Sequence, residues 1–159
     1  MSKILVAYFS ASGETARRAR TLAGVIGGDR FEIRPQTAYT AADLDWNSAK
    51  SRSSVEMNDP KSRPAMEETP RLAGYDTVFV GFPIWWYQAP RIIQTFLESA
   101  DFSGKTVIPF ATSGGSGMGK TVELLRPSCA PDTRWNEGKR LSSHASAQEV
   151  SAWTKSLSL

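Results

Sequence analysis

A hydroxyl-rich loop near the start of the chain carries the residue types that can hold a phosphate. It directly follows the apolar run at residues 4–9 and directly precedes a helix-like stretch. Its six residues are Ser10, Ala11, Ser12, Gly13, Glu14 and Thr15. At such a turn the first amide N–H groups of the helix lack intrahelical partners, and the helix dipole adds partial positive charge. The hydroxyl groups add further donors, and Gly13 lets the backbone approach an anion without a Cβ in the way. We therefore predict an anion site here.

The absence of Lys and Arg from residues 10–15 indicates which anion the loop suits. A hydrolysable triphosphate usually needs a lysine and a metal site, whereas neutral donors suit a phosphomonoester. The loop therefore favours a bound cofactor over a nucleotide substrate. The Glu14 carboxylate cannot donate to a phosphate, so we expect its side chain to point away while its N–H serves the anion.

Two further loops follow predicted buried strands. The first contains Pro83, Ile84, Trp85, Trp86 and Tyr87, and the second contains Thr112, Ser113, Gly114, Gly115, Ser116 and Gly117. A large indole face suits the apolar wall of a planar ligand, because it offers area for stacking and an N–H for a polar edge. A glycine-rich loop between a strand and a helix can expose backbone amides to a ring that approaches closely.

Taken together, the three loops resemble those of the flavodoxin family, in which the first loop surrounds the phosphate of FMN. The resemblance covers nearly all 159 residues. Two positions depart from the family pattern: Ser12 replaces the usual Thr, and Glu14 stands where Asn is common. The resemblance implies FMN as the cofactor, with Trp85 and Trp86 forming the flavin wall and Ile84 and Tyr87 at its margin. It leaves open which indole stacks on the ring.

The alternation of apolar runs and helical patterns predicts a doubly wound α/β fold with a five-stranded parallel sheet. The resemblance implies the strand order 2-1-3-4-5 in a flavodoxin-like three-layer sandwich over one domain, residues 1–159. The predicted strands lie at residues 4–9, 31–33, 77–82, 106–112 and 133–135. Helices are predicted from Glu14, at residues 40–51, from Pro90, after the glycine-rich loop and from Ser146. Residues 52–70 are predicted to be a polar loop, and Pro109 is unusual in a central strand.

Composition argues for an ordinary globular chain. It has 40% hydrophobic and 22% charged residues, a net charge of +3 and a pI near 9.2. The basic residues are scattered, which disfavours a nucleic-acid partner, and no apolar run approaches the roughly 18 residues of a membrane span. The lone Cys129 cannot form an internal disulfide, and residues 1–3 lead straight into the first strand. These features predict a cytoplasmic protein without membrane contact.

Three other features allow different chemistry. Residues 114–121 match the nucleotide-binding pattern G-x-x-x-x-G-K-T, but no neighbouring apolar strand is expected to end in an acidic residue that could hold magnesium. His144 lacks partners at ligand spacing and is predicted to be a surface residue. Cys129 lacks a nearby His or second Cys, so we interpret it as a small packed residue.

The predicted function is FMN-dependent electron transfer or reduction, with a redox protein or a small-molecule acceptor such as a quinone as partner. The cofactor would carry the chemistry, so we predict no catalytic acid, base or nucleophile and no metal site. A second hypothesis is an NAD(P)H-dependent FMN or quinone reductase. A third is a flavin-holding partner protein without redox turnover, in which residues 52–70 form the contact surface.

Overall fold

The computed structural model describes residues 3–113, 118–142 and 144–157. Its strands are β1 (Lys3–Tyr8), β2 (Asp29–Glu32), β3 (Tyr75–Pro83), β4 (Thr106–Thr112), β5 (Arg134–Trp135) and β6 (Lys139–Leu141). Its helices are α1 (Glu14–Ile26), α2 (Arg52–Asn58), α3 (Arg91–Glu98), α4 (Thr121–Leu125) and α5 (Ala147–Ser156), with a 3₁₀ turn at Arg126–Ser128. No helix in these ranges is both long enough and apolar enough to cross a membrane.

The strands form one parallel sheet in the order β2-β1-β3-β4-β5, which confirms the predicted fold class. Each face of the sheet has its own core. Phe96 of α3 packs with Phe82 on one face, and Leu22 of α1 and Val150 of α5 pack with Phe79 on the other. Helices therefore cover both faces, as the three-layer prediction requires. All of the parallel strands direct their carboxyl ends, and the loops that follow, to the same edge.

The last position of the sheet differs from the single fifth strand that the sequence predicts at residues 133–135. Two short strands, β5 and β6, both pair with β4. Gly138 lies in the break between β5 and β6 and has a φ of 78°. It is so close to Pro109 that a Cβ at this position would lie 2.0 Å from the Pro109 carbonyl oxygen. Within a strand, the N–H and C=O of one residue point to the same side, so the donor that Pro109 lacks faces this interruption. The structure thereby accommodates a proline in a central strand.

Two predictions are wrong in the segment between β2 and β3. Residues 40–51 form successive turns instead of a helix, and α2 lies at Arg52–Asn58, where a loop was expected. Short polar side chains explain the turns: the Thr40 N–H donates to Asp43 Oδ2 at 3.0 Å, and the Asp43 N–H donates to Thr40 Oγ1 at 3.1 Å. Such bonds compete with the helical backbone pattern. Ser51 is the N-cap of α2, and its hydroxyl accepts from the Ser54 N–H. β2 also lies slightly earlier than the predicted residues 31–33.

Candidate functional site

The loop at residues 10–15, hereafter the phosphate loop, joins β1 to α1 and is ordered by its first hydroxyl. Ser10 Oγ accepts from the Gly13 N–H at 3.0 Å and from the Ala16 N–H at 3.2 Å. Gly13 has a φ of 95°, and a Cβ there would meet no atom within 4 Å. Glycine is therefore required at this position by its backbone conformation, since the surrounding protein leaves room for a side chain.

Several donors of the phosphate loop have no partner in the described part of the chain. These are the amide N–H groups of Ser12, Glu14 and Thr15, together with the Ser12 hydroxyl. The Glu14 carboxylate forms an ion pair with Arg17, three residues later in α1, at an N–O distance of 3.0 Å. Neutral donors at the N-terminus of α1, with no basic side chain in the loop, fit a phosphomonoester.

Thr15 ties the phosphate loop to the end of β4. Thr15 is buried, and its hydroxyl lies 2.7 Å from the hydroxyl of Thr112. Either hydroxyl can be the donor of this bond, and the sequence assigns the Thr15 hydroxyl to the phosphate. It also places the first and third predicted loops side by side at the carboxyl end of the sheet. Ser113 follows Thr112, and its carbonyl oxygen accepts from Arg140 Nη1 at 3.0 Å. Gly114, Gly115, Ser116 and Gly117 lie outside the described residues.

The second predicted loop contains a tight turn at residues 85–88, hereafter the aromatic turn. The Trp85 N–H donates to the Gln88 carbonyl oxygen at 2.9 Å, and the Gln88 N–H donates to the Trp85 carbonyl oxygen at 3.1 Å. The two central residues, Trp86 and Tyr87, have φ values of 49° and 65°. Two-residue hairpins with this left-handed backbone normally use Gly, Asn or Asp, because bulky side chains are strained there. The turn nevertheless holds Trp86 42% exposed and Tyr87 74% exposed.

The structure gives the two indoles of this loop different surroundings. Trp85 is half-buried and packs edge-on against Phe9 and Tyr39, with ring centroids 5.8 and 5.5 Å away. Trp86 is the more exposed of the two and stands at the tip of the turn. Pro83 pairs in register with Thr112, and the Ile84 N–H lies 3.4 Å from the Thr112 carbonyl oxygen. All three predicted loops therefore meet around Thr112 or its neighbours.

Tyr39 belongs to the aromatic cluster but was missed at the sequence level, because it lies outside any motif. Its hydroxyl donates to the Glu56 carboxylate, and the Arg52 guanidinium lies 3.8 Å from the centre of its ring. Arg52 Nε in turn contacts Glu56 Oε2 at 3.0 Å. Burial, and then the hydrogen bond to Glu56, raise the pKa of Tyr39 well above its usual range. These contacts fix α2 against Phe9 and Trp85.

Arg91 makes the second connection between α2 and the aromatic turn. It is only 5% exposed, and its Nη2 donates to the Met57 carbonyl oxygen at 2.8 Å, near the C-terminus of α2. Its Nη1 donates to Gln88 Oε1 at 3.2 Å. Burial lowers the pKa of the Arg91 guanidinium. Nothing in the sequence separates this arginine from the exposed ones, because the backbone carbonyls of α2 that it binds are brought near only by the fold.

The remaining candidates show no catalytic arrangement. Burial, and then the charge of Glu98, raise the pKa of the half-buried Cys129 thiol to about 12. Among the described residues, no group of three His, Cys, Asp or Glu side chains could hold a metal ion. β2 does end in an acidic residue, Glu32, but β1 and β3 separate it from β4, and its carboxylate pairs with Arg34 at 2.9 Å. Glu32 is therefore not placed to hold magnesium for the nucleotide-binding pattern at residues 114–121.

Residues 3–157 match the sequence model of the flavodoxin family. The chain belongs to the flavodoxin family. This confirms the resemblance that the three loops suggested. No curated protein matches the chain.

Solved structures include two close relatives of this flavodoxin-family chain. A candidate flavoprotein from Bacteroides eggerthii DSM 20697 is 51% identical, with a TM-score of 0.93 over 100% of this chain and 99% of that one. Another, from Bacteroides uniformis ATCC 8492, is 54% identical, with a TM-score of 0.92 over 97% and 98%. A flavoprotein from Lactobacillus acidophilus NCFM, solved in complex with FMN, shares the fold at 21% identity and a TM-score of 0.70, over 97% and 99%. Family membership and that complex support FMN as the cofactor.

Proposed function

We propose that this protein binds FMN and serves as a small flavodoxin-like oxidoreductase that transfers electrons through it. The observation that carries the proposal is the meeting of the three loops at one edge of the sheet. Unpaired amides of the phosphate loop lie at the start of α1, and the Thr15 hydroxyl contacts Thr112 at 2.7 Å. Pro83, the residue before the aromatic segment, pairs with Thr112 in the sheet register.

Each loop has a separate task in this proposal. The amides of Ser12, Glu14 and Thr15 hold the phosphate, and the Ser10 hydroxyl keeps the loop in the conformation that exposes them. Trp85 and Trp86 supply the apolar wall, and we assign the polar edge of the ring to the loop that the sequence predicts after Thr112. When bound, FMN supplies the redox chemistry, while the chain sets its orientation and its exposure to water.

The partner we propose is a small molecule, such as a quinone, in preference to a redox protein. Exposed aromatic side chains at Trp86 and Tyr87 suit a planar ligand. The net charge of +3 would favour an acidic protein partner if one exists. NAD(P)H is the electron donor in the reductase version of the proposal. We also propose a cytoplasmic location, because the lone Cys129 cannot form an internal disulfide.

The cofactor is tested by the visible spectrum of the purified protein and by identification of any released flavin. We expect a yellow protein that releases FMN, and apoprotein that binds FMN far more tightly than riboflavin. Riboflavin lacks the phosphate, so it is the matched control for the phosphate loop. Equal affinity for the two compounds would contradict the assignment of this loop.

The electron donor is tested by mixing the FMN-loaded protein with NADPH under anaerobic conditions. Rapid loss of the flavin absorbance with NADPH alone would support the reductase. A flavin that stays oxidised with NADPH, yet is reduced by dithionite, would favour an electron carrier that needs a separate reductase.

A further inference from the structure

We propose that Arg140 makes the second electron easier for bound FMN to accept, so that electrons enter and leave the flavin in pairs. The proposal rests on the proposed function, and it adds to that function the number of electrons transferred at a time. A flavin that has taken up two electrons tends to carry negative charge near N1, on its polar edge. A nearby cation lowers the free energy of that anion, and a nearby carboxylate raises it.

The position of Arg140 in β6 decides which face of the sheet its side chain occupies. Arg140 pairs in register with Ala111, which belongs to the core against which Trp85 packs. The next residue, Leu141, belongs to the core on the other face. Successive side chains of a strand point to opposite faces. Arg140 therefore lies on the face of the sheet that carries the aromatic wall.

The guanidinium of Arg140 is fixed at the start of the third predicted loop. Its Nη1 donates to the Ser113 carbonyl oxygen at 3.0 Å. Ser113 directly follows Thr112, whose hydroxyl lies 2.7 Å from the Thr15 hydroxyl of the phosphate loop. We assign the polar edge of the flavin to the loop that begins here. On that assignment, the charge of Arg140 is held where the loop for the polar edge leaves the sheet.

No acidic side chain in the described part of the chain neutralises Arg140. The residue is half-buried, and it forms no ion pair with a described Asp or Glu. The one acidic residue in the sequence of the three predicted loops is Glu14, which already pairs with Arg17. Water and salt screen a partly buried charge less than an exposed one. Arg140 therefore leaves an unneutralised positive charge at the three loops.

Arg134 offers a matched comparison at the other end of the same strand. Its Nη2 also donates to a backbone carbonyl oxygen, that of Gly104, at 3.0 Å. Arg134 pairs with Thr106, the first residue of β4, whereas the third loop begins after Thr112, the last residue. The two ends of this extended strand are separated by roughly 20 Å. Arg134 thus makes the same kind of hydrogen bond as Arg140, but its charge is far from the three loops.

The test measures the two reduction potentials of the FMN-loaded protein by anaerobic titration with redox dyes. In the wild type we expect the second potential at or above the first. Arg140→Gln keeps a donor for Ser113 but removes the charge, so the equilibrium constant for the second electron should fall about tenfold, a shift of about 59 mV. Arg140→Lys keeps the charge and should stay within about twofold of the wild-type constant. Arg134→Gln is the control and should leave both potentials unchanged.

Three results would overturn the role of Arg140. They are a wild-type second potential far below the first, a second potential that Arg140→Gln leaves unchanged, and an equal shift in Arg140→Gln and in either Arg140→Lys or Arg134→Gln. An equal shift in Arg140→Lys would show that the hydrogen bond to Ser113 matters and the charge does not. The wild-type potentials decide the matter even where a variant fails to fold. Failure of the wild type to bind FMN would contradict the proposed function together with this proposal, whereas FMN binding with the wrong potentials contradicts the role of Arg140 alone.

Discussion

The phosphate loop and the aromatic turn both use left-handed backbone, but they place opposite residue types in it. In the phosphate loop, Gly13 has a φ of 95°, which glycine adopts without steric cost. In the aromatic turn, Trp86 and Tyr87 have φ values of 49° and 65°, and side chains of this size are strained in that conformation. The first loop is stabilised by its own Ser10 hydroxyl, whereas the second depends on contacts with distant parts of the chain.

The difference shows that one site is encoded locally and the other is imposed by packing. Both hydrogen bonds of the Ser10 hydroxyl lie within residues 10–16, so this part of the phosphate loop is ordered by its own sequence. The aromatic turn needs Tyr39, α2 and Arg91 in place before its strain can be supported. The substitutions below test this contrast.

Gly13→Val should have the largest effect. A β-branched residue at a φ of 95° would cost on the order of 1 to 3 kcal/mol and would move the amides that hold the phosphate. FMN affinity should be lost, while the weak binding of riboflavin changes little. Fluorescence titration of the apoprotein with both flavins measures this. Gly24→Val, at an open position inside α1, is the control and should bind FMN normally. Retained FMN affinity in Gly13→Val would place the phosphate elsewhere.

Trp85→Ala and Trp86→Ala should separate packing from cofactor contact. Removing the half-buried Trp85 should lower the free energy of unfolding by about 3 kcal/mol, because its contacts with Phe9 and Tyr39 are lost. Removing the exposed Trp86 should change stability by less than about 0.5 kcal/mol. It should still weaken FMN binding at least roughly tenfold if this indole stacks on the ring. Urea unfolding and flavin titration give the two values, and unchanged flavin quenching in both variants would contradict the flavin wall.

Tyr39→Phe should lower stability by about 1.5 kcal/mol, because the Glu56 carboxylate loses a donor. It should also change the pH dependence of unfolding. The pKa of Tyr39 is raised in the folded protein, so the unfolded chain releases this proton first as the pH rises above about 10. The Tyr39 contribution is therefore fully present below pH 10 and decreases above it. Urea unfolding from pH 8 to 11 should show a shallower alkaline decrease in Tyr39→Phe, and identical slopes would contradict the raised pKa of Tyr39.

Tyr87→Gly should have the smallest effect and the opposite sign. Glycine relieves the left-handed strain but adds freedom to the unfolded chain, so the net gain should be about 0.5 kcal/mol. The exposed Tyr87 ring contributes little packing that could be lost. Thermal and urea unfolding measure the change. A clear loss of stability would show that the turn is not strained in the way we infer.

Much of the fold was readable from local patterns. The apolar runs at β1, β3 and β4 and the helical spacing in α1, α3 and α5 predicted elements that the structure contains. The prediction failed between β2 and β3, where short polar residues such as Asp43 form turns and α2 is built on the Ser51 cap. At the last sheet position it found β5 but missed β6, where the course of the chain at Gly138 depends on its approach to Pro109.

The sequence by itself determined the phosphate loop, since its hydroxyls, its glycine and its place between a strand and a helix are all local properties. It also determined the parallel sheet, through buried strands separated by helices. Only the tertiary structure decided the surroundings of the two indoles, the pairing of Thr15 with Thr112, and the roles of Tyr39 and Arg91. Those features join residues far apart in the chain, so their partners exist only after the sheet and helices have packed.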